Sequence, residues 1–301
     1  VTVNGVRVGI CAYDMPGAAL LSLAVAADEL GFDTLWIGEH VLLPVGFSTP
    51  HPTTGTASKQ HRPGAIVKPE TVLLDPLVEL AAIGGSTTRI QLGTAIYILP
   101  LRHPLLTARA ACTLQEVSGG RLLLGVGTGW LEEEFAALGL DFSSRVGRFD
   151  EMVQIMRRAW SGGPFSFEGA HFSFASVQTS PRPVSVPLVY GGNTDRALGR
   201  AADQADAWFA SGTPSFDEAL RLRDRIQALR QELDRTAPFR CFIRIDRADP
   251  DSVDRYAREG IEDVVVWADQ VWQAGGDLGE NRATLEKTAQ ALGLRTSVAD
   301  R

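Results

Sequence analysis

The sequence predicts one closed (β/α)8 barrel, a TIM barrel, as a single domain over residues 1–301. Three observations lead there. Eight short apolar runs alternate with segments of helical period, the pattern of a parallel sheet. A chain of 301 residues fits one such barrel. A doubly wound open sheet would place a glycine-rich fingerprint after its first strand. The turn there is Tyr13-Asp14-Met15-Pro16.

Residues 6–12 read as the first strand, and 16–30 as an Ala- and Leu-rich helix closed by Gly31. Residues 34–37 form the second strand, which ends at Gly38-Glu39-His40. A long loop follows over 41–74, full of Pro, Thr, Gly and Ser; such a segment inside a domain is usually functional or disordered. Asp75-Pro76 opens a helix that stops near Gly84-Gly85. Residues 89–95 are the third strand and 104–117 the next helix, ended by Ser118-Gly119-Gly120. Residues 121–126 are the fourth strand, followed by Gly127-Thr128-Gly129-Trp130. Phe149, Met152, Val153, Met156 and Trp160 share one face of a helix over 148–160. The alternation from Phe165 to Phe174 breaks the rhythm and reads as a β-hairpin inserted before strand five. Residues 188–190 are strand five, which runs into Gly191-Gly192. Asn193 or Thr194 then caps a helix with Ala197, Leu198, Ala201, Ala202 and Ala205 on one face. Strands at 206–210, 240–245 and 263–267 alternate with helices at 216–233, 250–259 and 282–292.

Composition limits the function. Hydrophobic residues make up 45% and charged residues 22%, the balance of a soluble globular protein. A net charge of −7 argues against a general binder of nucleic acid or anionic membranes. Cys11, Cys112 and Cys241 lie far apart, with neither metal-ligand spacing nor a disulfide framework, which suits a reducing compartment. The first residues lack a signal-peptide layout, and no apolar run is long enough to span a bilayer. The expectation is a cytoplasmic protein with no metal site.

In a barrel, the loops after the strands carry the site. Glu39-His40 follows strand two; histidine moves protons near neutral pH, and a structural histidine is the competing reading. Thr94 to Leu101 follows strand three, and His103 before Pro104 reads as a helix-entry residue. Gly127-Thr128-Gly129 follows strand four and lets a flat ligand approach the backbone. Gly191-Gly192 before a helix start suits an anion, and equally a ligand-free turn. Glu132-Glu133-Glu134 reads as a solvated helix start. Arg145 and Arg148 fit either a phosphate or the surface.

Taken together, these stretches resemble the bacterial luciferase-like oxidoreductases, which use a flavin or the deazaflavin coenzyme F420. The resemblance spans about residues 8–270. It rests on LGFDTLWIGEHV at 30–41, DPLVELAAIGGSTTRIQLGTAIYILPLRHPLLTARA at 75–110, GGRLLLGVGTGWLEEEFAALGLDF at 119–142, RFDEMVQIMRRAW at 148–160 and YGGNTDRALGRAADQADAWF at 190–209. The GVGTGW form and the RHP after strand three look most like the actinobacterial F420-type subgroup. The resemblance implies that His40 sits by the cofactor ring and is catalytic, with Glu39 its acidic neighbour. It implies that Ala95-Ile96 forms a bulge behind the ring, often with a cis peptide, and Thr94 joins them as a candidate contact. Thr128 and Gly129 would touch the ring or its side chain, and Gly191, Gly192, Asn193 and Thr194 the cofactor phosphate. Some deazaflavin sugar-phosphate dehydrogenases of the family carry a catalytic acid where this chain has Trp130; either the proton donor is elsewhere, with Glu39 or Glu132 as candidates, or the chemistry differs. No basic cluster is evident in the linear sequence, which disfavours a sugar phosphate.

The expected function is F420-dependent hydride transfer to or from a small or medium organic substrate, with the 41–74 loop as a lid. The alternatives are a monooxygenase using FMN reduced by a partner reductase, and a non-catalytic cofactor-binding protein. A homodimer is expected from the resemblance.

Overall fold

The computed structural model describes residues 5–50, 70–179 and 182–294. The central part of the expected lid, residues 51–69, lies outside the described residues.

Strands β1 (Arg7–Ala12) and β2 (Thr34–Ile37) flank helix α1 (Gly17–Leu30), which ends on Gly31 in the left-handed region at φ 95°. Helix α2 (Pro76–Ser86) starts where the Asp75 side chain accepts from the N–H groups of Leu77 and Val78. The third strand is broken into β3 (Gln91–Thr94) and β4 (Tyr97–Ile98). Helix α3 (Pro104–Val117) is entered at His103, whose Nδ1 accepts from Leu105 N–H. Then come β5 (Leu122–Gly127), the short α4 (Glu132–Ala137) and α5 (Arg145–Trp160). The inserted hairpin is β6 (Phe165–Glu168) with β7 (Ser173–Val177), paired antiparallel. The chain closes with β8 (Leu188–Gly191), α6 (Asp195–Gln204), β9 (Ala207–Phe209), α7 (Phe216–Glu232), β10 (Arg240–Arg244), α8 (Pro250–Arg258), β11 (Asp263–Trp267) and α9 (Leu278–Ala291).

Apart from the hairpin, every strand pairing is parallel, and the ring closes. β11 pairs with β1, and the third strand meets β5 through both its pieces. The barrel is therefore the expected TIM fold with its insertion before strand five. The third strand is where the pairing slips. From Gly93 to Tyr97 it advances four residues while β5 advances three, from Leu123 to Val126. The extra residue makes a bulge, and the Ala95–Ile96 peptide within it is cis.

The barrel is filled by inward residues of all its parts. Trp36 packs edge-on against Phe209 and Phe242, with both centroid separations at 4.7 Å. Only glycine fits opposite it: a Cβ on Gly93 would stand 2.2 Å from the Trp36 ring. This plug is the floor under the mouth. At the opposite end, the buried Asp263 carboxylate is held by Arg7 and Arg240 at 2.6–2.7 Å.

Candidate active site

A cavity of about 850 Å³ opens at the C-terminal ends of the barrel strands. Its walls bring together His40, Glu39, Ala95, Ile96, Thr128 and Gly129 from strands two to four, and Gly191 to Thr194 from strand five. Thr94 differs from its expected part. It is fully buried, its hydroxyl donates to Gly125 O at 2.6 Å, and it does not line the cavity.

His40 is buried, and its Nδ1 lies 2.7 Å from Glu134 Oε2. An ionised carboxylate only accepts, so Nδ1 carries the proton and Nε2 is the basic nitrogen. Among the described residues Nε2 has no hydrogen-bond partner. Trp130 stands edge-on to the imidazole, with centroids 5.7 Å apart. Glu134 is fully buried, and its Oε1 accepts from the N–H groups of Val41 at 2.8 Å and Leu42 at 3.3 Å. Its neighbour Glu133 accepts from Ser48 N–H at 2.7 Å and from the Thr49 hydroxyl at 2.7 Å. Hydrogen bonds led by that from Ser48 N–H hold the Glu133 carboxyl down at about 2. The acidic run was expected to be a solvated helix start. Two of its three carboxylates instead clamp the loop after β2, because α4 folds back over the residues that follow His40.

Glu39 faces the other way. Its carboxylate takes a two-pronged ion pair from Arg102, at 2.8 and 2.7 Å, and accepts from Ile98 N–H at 2.6 Å. Burial raises its pKa to about 7, against the opposing pull of Arg102 and the Ile98 N–H. Both oxygens are thus engaged in anchoring the segment just beyond the bulge. Within the bulge, the Ile96 side chain lies across two glycines. A Cβ on Gly127 would come within 1.7 Å of Ile96 Cδ1, and one on Gly191 within 2.9 Å of Cγ2. Glycine at both positions lets the bulge lie flat against the adjoining strand ends, leaving an apolar shelf on the cavity wall.

At strand five, Thr194 is the cap of α6, accepting from Ala197 N–H at 3.3 Å. Asn193 ties the neighbouring loop instead, exchanging two hydrogen bonds with the Ser211 backbone at 2.8 and 3.0 Å. Its side chain is occupied, and its backbone remains at the helix mouth. Gly192 has φ 114°, which favours glycine, and its carbonyl accepts from Trp208 Nε1 at 2.8 Å.

The linear sequence showed no basic cluster, yet the fold makes one. Arg145, Arg196, Arg200, Arg221 and Arg244, from three helices and a strand, all line the cavity. Arg221 is paired with Glu218. Arg145 stacks on Phe142 at 3.9 Å, and its buried Nε has no partner among the described residues. The buried Tyr190 hydroxyl on the same wall likewise has none among the described residues, and burial raises its pKa well above the usual phenol range. Unmet polar atoms, a helix start and a glycine shelf fit a planar ring with an anionic side chain.

The sequence reading stopped at strand five. The cavity continues across strands six to eight, through Ser211, Gly212, Thr213, Arg244 and Trp267. These positions carry no local motif; only the closure of the barrel places them opposite His40.

The luciferase-like monooxygenase family model matches residues 2–293. An uncharacterized protein of Mycobacterium tuberculosis (strain ATCC 25618 / H37Rv) is 33% identical over 248 residues, covering 82% of this chain and 83% of that protein. The F420-dependent glucose-6-phosphate dehydrogenase of Kineococcus radiotolerans is 30% identical over 242 residues, covering 76% of this chain and 65% of that one. Among solved structures, the monooxygenase RslO1 from Streptomyces bottropensis superposes with a TM-score of 0.75 at 18% identity, covering 95% of this chain and 98% of that chain. An F420-dependent secondary alcohol dehydrogenase in complex with an F420-acetone adduct gives 0.71 at 15%, covering 95% and 99%. At these identities the structures speak for the shared barrel.

Proposed function

The chain belongs to the luciferase-like monooxygenase family, and from that premise we propose that it is an oxidoreductase moving a hydride between coenzyme F420 and a small or medium organic substrate. One observation carries the reading: a single cavity joins the Gly191-Gly192 helix start to the bulged third strand and His40, with arginines along its wall. When bound, the deazaflavin supplies a carbon that accepts or donates hydride. The residues of the chain do the rest. The α6 start and Thr194 hold the phosphate. Ile96, lying over Gly127 and Gly191, supports one ring face. His40 holds or takes a substrate proton at Nε2 while Glu134 fixes its ring and balances the charge. Glu39 is a positioning residue here, since Arg102 and Ile98 already occupy its oxygens. Trp130 and the clamped β2 loop keep water from the ring. Arg145, Arg196 and Arg200 favour the deazaflavin, whose tail carries more negative charge than FMN.

The test is a side-by-side fluorescence titration of the purified protein with F420 and FMN. Tighter F420 binding, then turnover with alcohols, enones or imines, supports the reading. Preference for FMN, with oxygen uptake when a reductase is added, replaces it with the monooxygenase. Cofactor binding with no turnover in any assay leaves the non-catalytic binder.

A further inference from the structure

Across strands six to eight the cavity holds a buried cation that no carboxylate among the described residues balances. Arg244 ends β10, two residues after the core residue Phe242, so its side chain rises from the barrel plug into the mouth. It is 9% exposed. Its guanidinium lies between Trp267 at 4.6 Å and Phe209 at 5.2 Å. Nε donates to Gly212 O at 2.8 Å, and Nη1 makes a long contact of 3.7 Å to Cys11 Sγ. Among the described residues no carboxylate pairs with it, and Nη2 donates to nothing.

The surroundings hold it rigid. Trp267 Nε1 donates to the buried Thr213 hydroxyl at 2.9 Å, and the Gly212 carbonyl that orients Arg244 sits in a loop tied down by Asn193. A guanidinium kept from water costs free energy that aromatic faces and one carbonyl offset only in part. Its planar fork matches a carboxylate. Beside it Trp267, only half-buried at the cavity wall, offers apolar surface to a flat body.

We propose that Arg244 is the specificity-determining residue of a substrate subsite for an unsaturated or aromatic carboxylate, whose anionic group it receives between Phe209 and Trp267. The inference takes from the reading above only that the cofactor occupies the strand-two-to-five half, and it names the substrate class for the other half.

The probe is trans-cinnamate, with cinnamamide as its neutral isostere, titrated calorimetrically into the protein alone and into the protein saturated with F420 or FMN. The wild type should bind the carboxylate roughly 10- to 100-fold more tightly than the amide, the range for a charged hydrogen bond. Arg244→Met should erase that discrimination while cofactor affinity changes less than about twofold, and Arg244→Lys should keep part of it. Equal binding of acid and amide by the wild type, where no variant enters, overturns the proposal. So does unchanged discrimination in Arg244→Met, or loss of cofactor affinity in place of carboxylate affinity. Because cofactor binding is read separately, a protein that binds neither cofactor but still selects the carboxylate keeps this inference and loses the F420 reading.

Discussion

Glu134 Oε2 sits 2.7 Å from His40 Nδ1, and the two side chains come from elements 94 residues apart in the chain. The contact fixes which imidazole nitrogen carries the proton. It also ties the histidine to the loop after β2, because Glu134 Oε1 accepts from Val41 and Leu42. One carboxylate therefore sets both the chemistry of the base and the position of the loop above it.

Glu134→Gln keeps the size and one accepting oxygen but removes the charge that balances a protonated imidazole. Turnover should fall roughly 10²-fold or more, as when an acid–base pair loses its orienting carboxylate. Affinity for cofactor should change less than about threefold. Steady-state kinetics beside a cofactor titration check this; equal losses in both would assign Glu134 to loop structure alone.

The elements that the sequence made legible are those specified by local chemistry. The 104–117 helix, opened at His103-Pro104, and the 34–37 strand fall where expected. So do the Gly-Gly turn and its Thr194 cap. His40 and the Ala95–Ile96 bulge were found through the family resemblance, since a lone histidine or a short apolar run says little by itself. What stayed hidden needs the closed ring. Glu134 looked solvated because its partner is distant in sequence. Arg244 sits in an ordinary strand, and only the barrel reveals that it points into the mouth. The arginines form a cluster through contributions from α5, α6, α7 and β10. Thr94, expected as a contact, is buried with its hydroxyl on Gly125 O, a partner 31 residues away that its own stretch does not announce.

The bulge allows a coupling test. In Gly127→Ala the new methyl displaces the Ile96 side chain, whose Cδ1 would otherwise lie 1.7 Å away. Stability should drop about 1–3 kcal/mol from overpacking, while cofactor affinity falls further because Ile96 is forced off the shelf. Adding Ile96→Ala should recover stability, making the double variant better than the sum of the singles by at least about 0.5 kcal/mol. Denaturant unfolding of the four proteins measures it; strict additivity would show that Ile96 and Gly127 do not meet.

Asp263 at the closed end supplies a pH test. Burial alone would raise its pKa, but the hydrogen bonds and charges of Arg7 and Arg240 outweigh burial and lower it. A depressed carboxyl stabilises the fold above its unfolded value of about 3.9, and that contribution is lost as pH falls through the folded value. Asp263→Asn should therefore cost about 2–4 kcal/mol at pH 7, leaving two arginines without their partner. The gap to wild type should narrow below pH ~4. Denaturant unfolding from pH 7 to pH 3 checks the sign, and a gap independent of pH would contradict it.

The arginines of α6 separate the two cofactor readings. Arg196 and Arg200 are four residues apart on one helix face, beside the phosphate end of the cavity. Among the described residues neither forms an ion pair, and Arg200 acts on Asp150 through its field alone: burial pushes that carboxyl up while Arg200 pulls it down. A tail with several negative charges gains from both arginines; a single phosphate is already met by the helix start. The Arg196→Gln, Arg200→Gln double variant should weaken F420 binding by roughly tenfold at low salt, since each exposed charge is worth up to about 1 kcal/mol. FMN binding should weaken by less than about threefold. Raising salt to about 0.5 M should close the gap between variant and wild type, because screening reaches only a few ångströms there. If both cofactors lose equally, the arginines read the shared phosphate, and the preference for the deazaflavin loses its electrostatic basis.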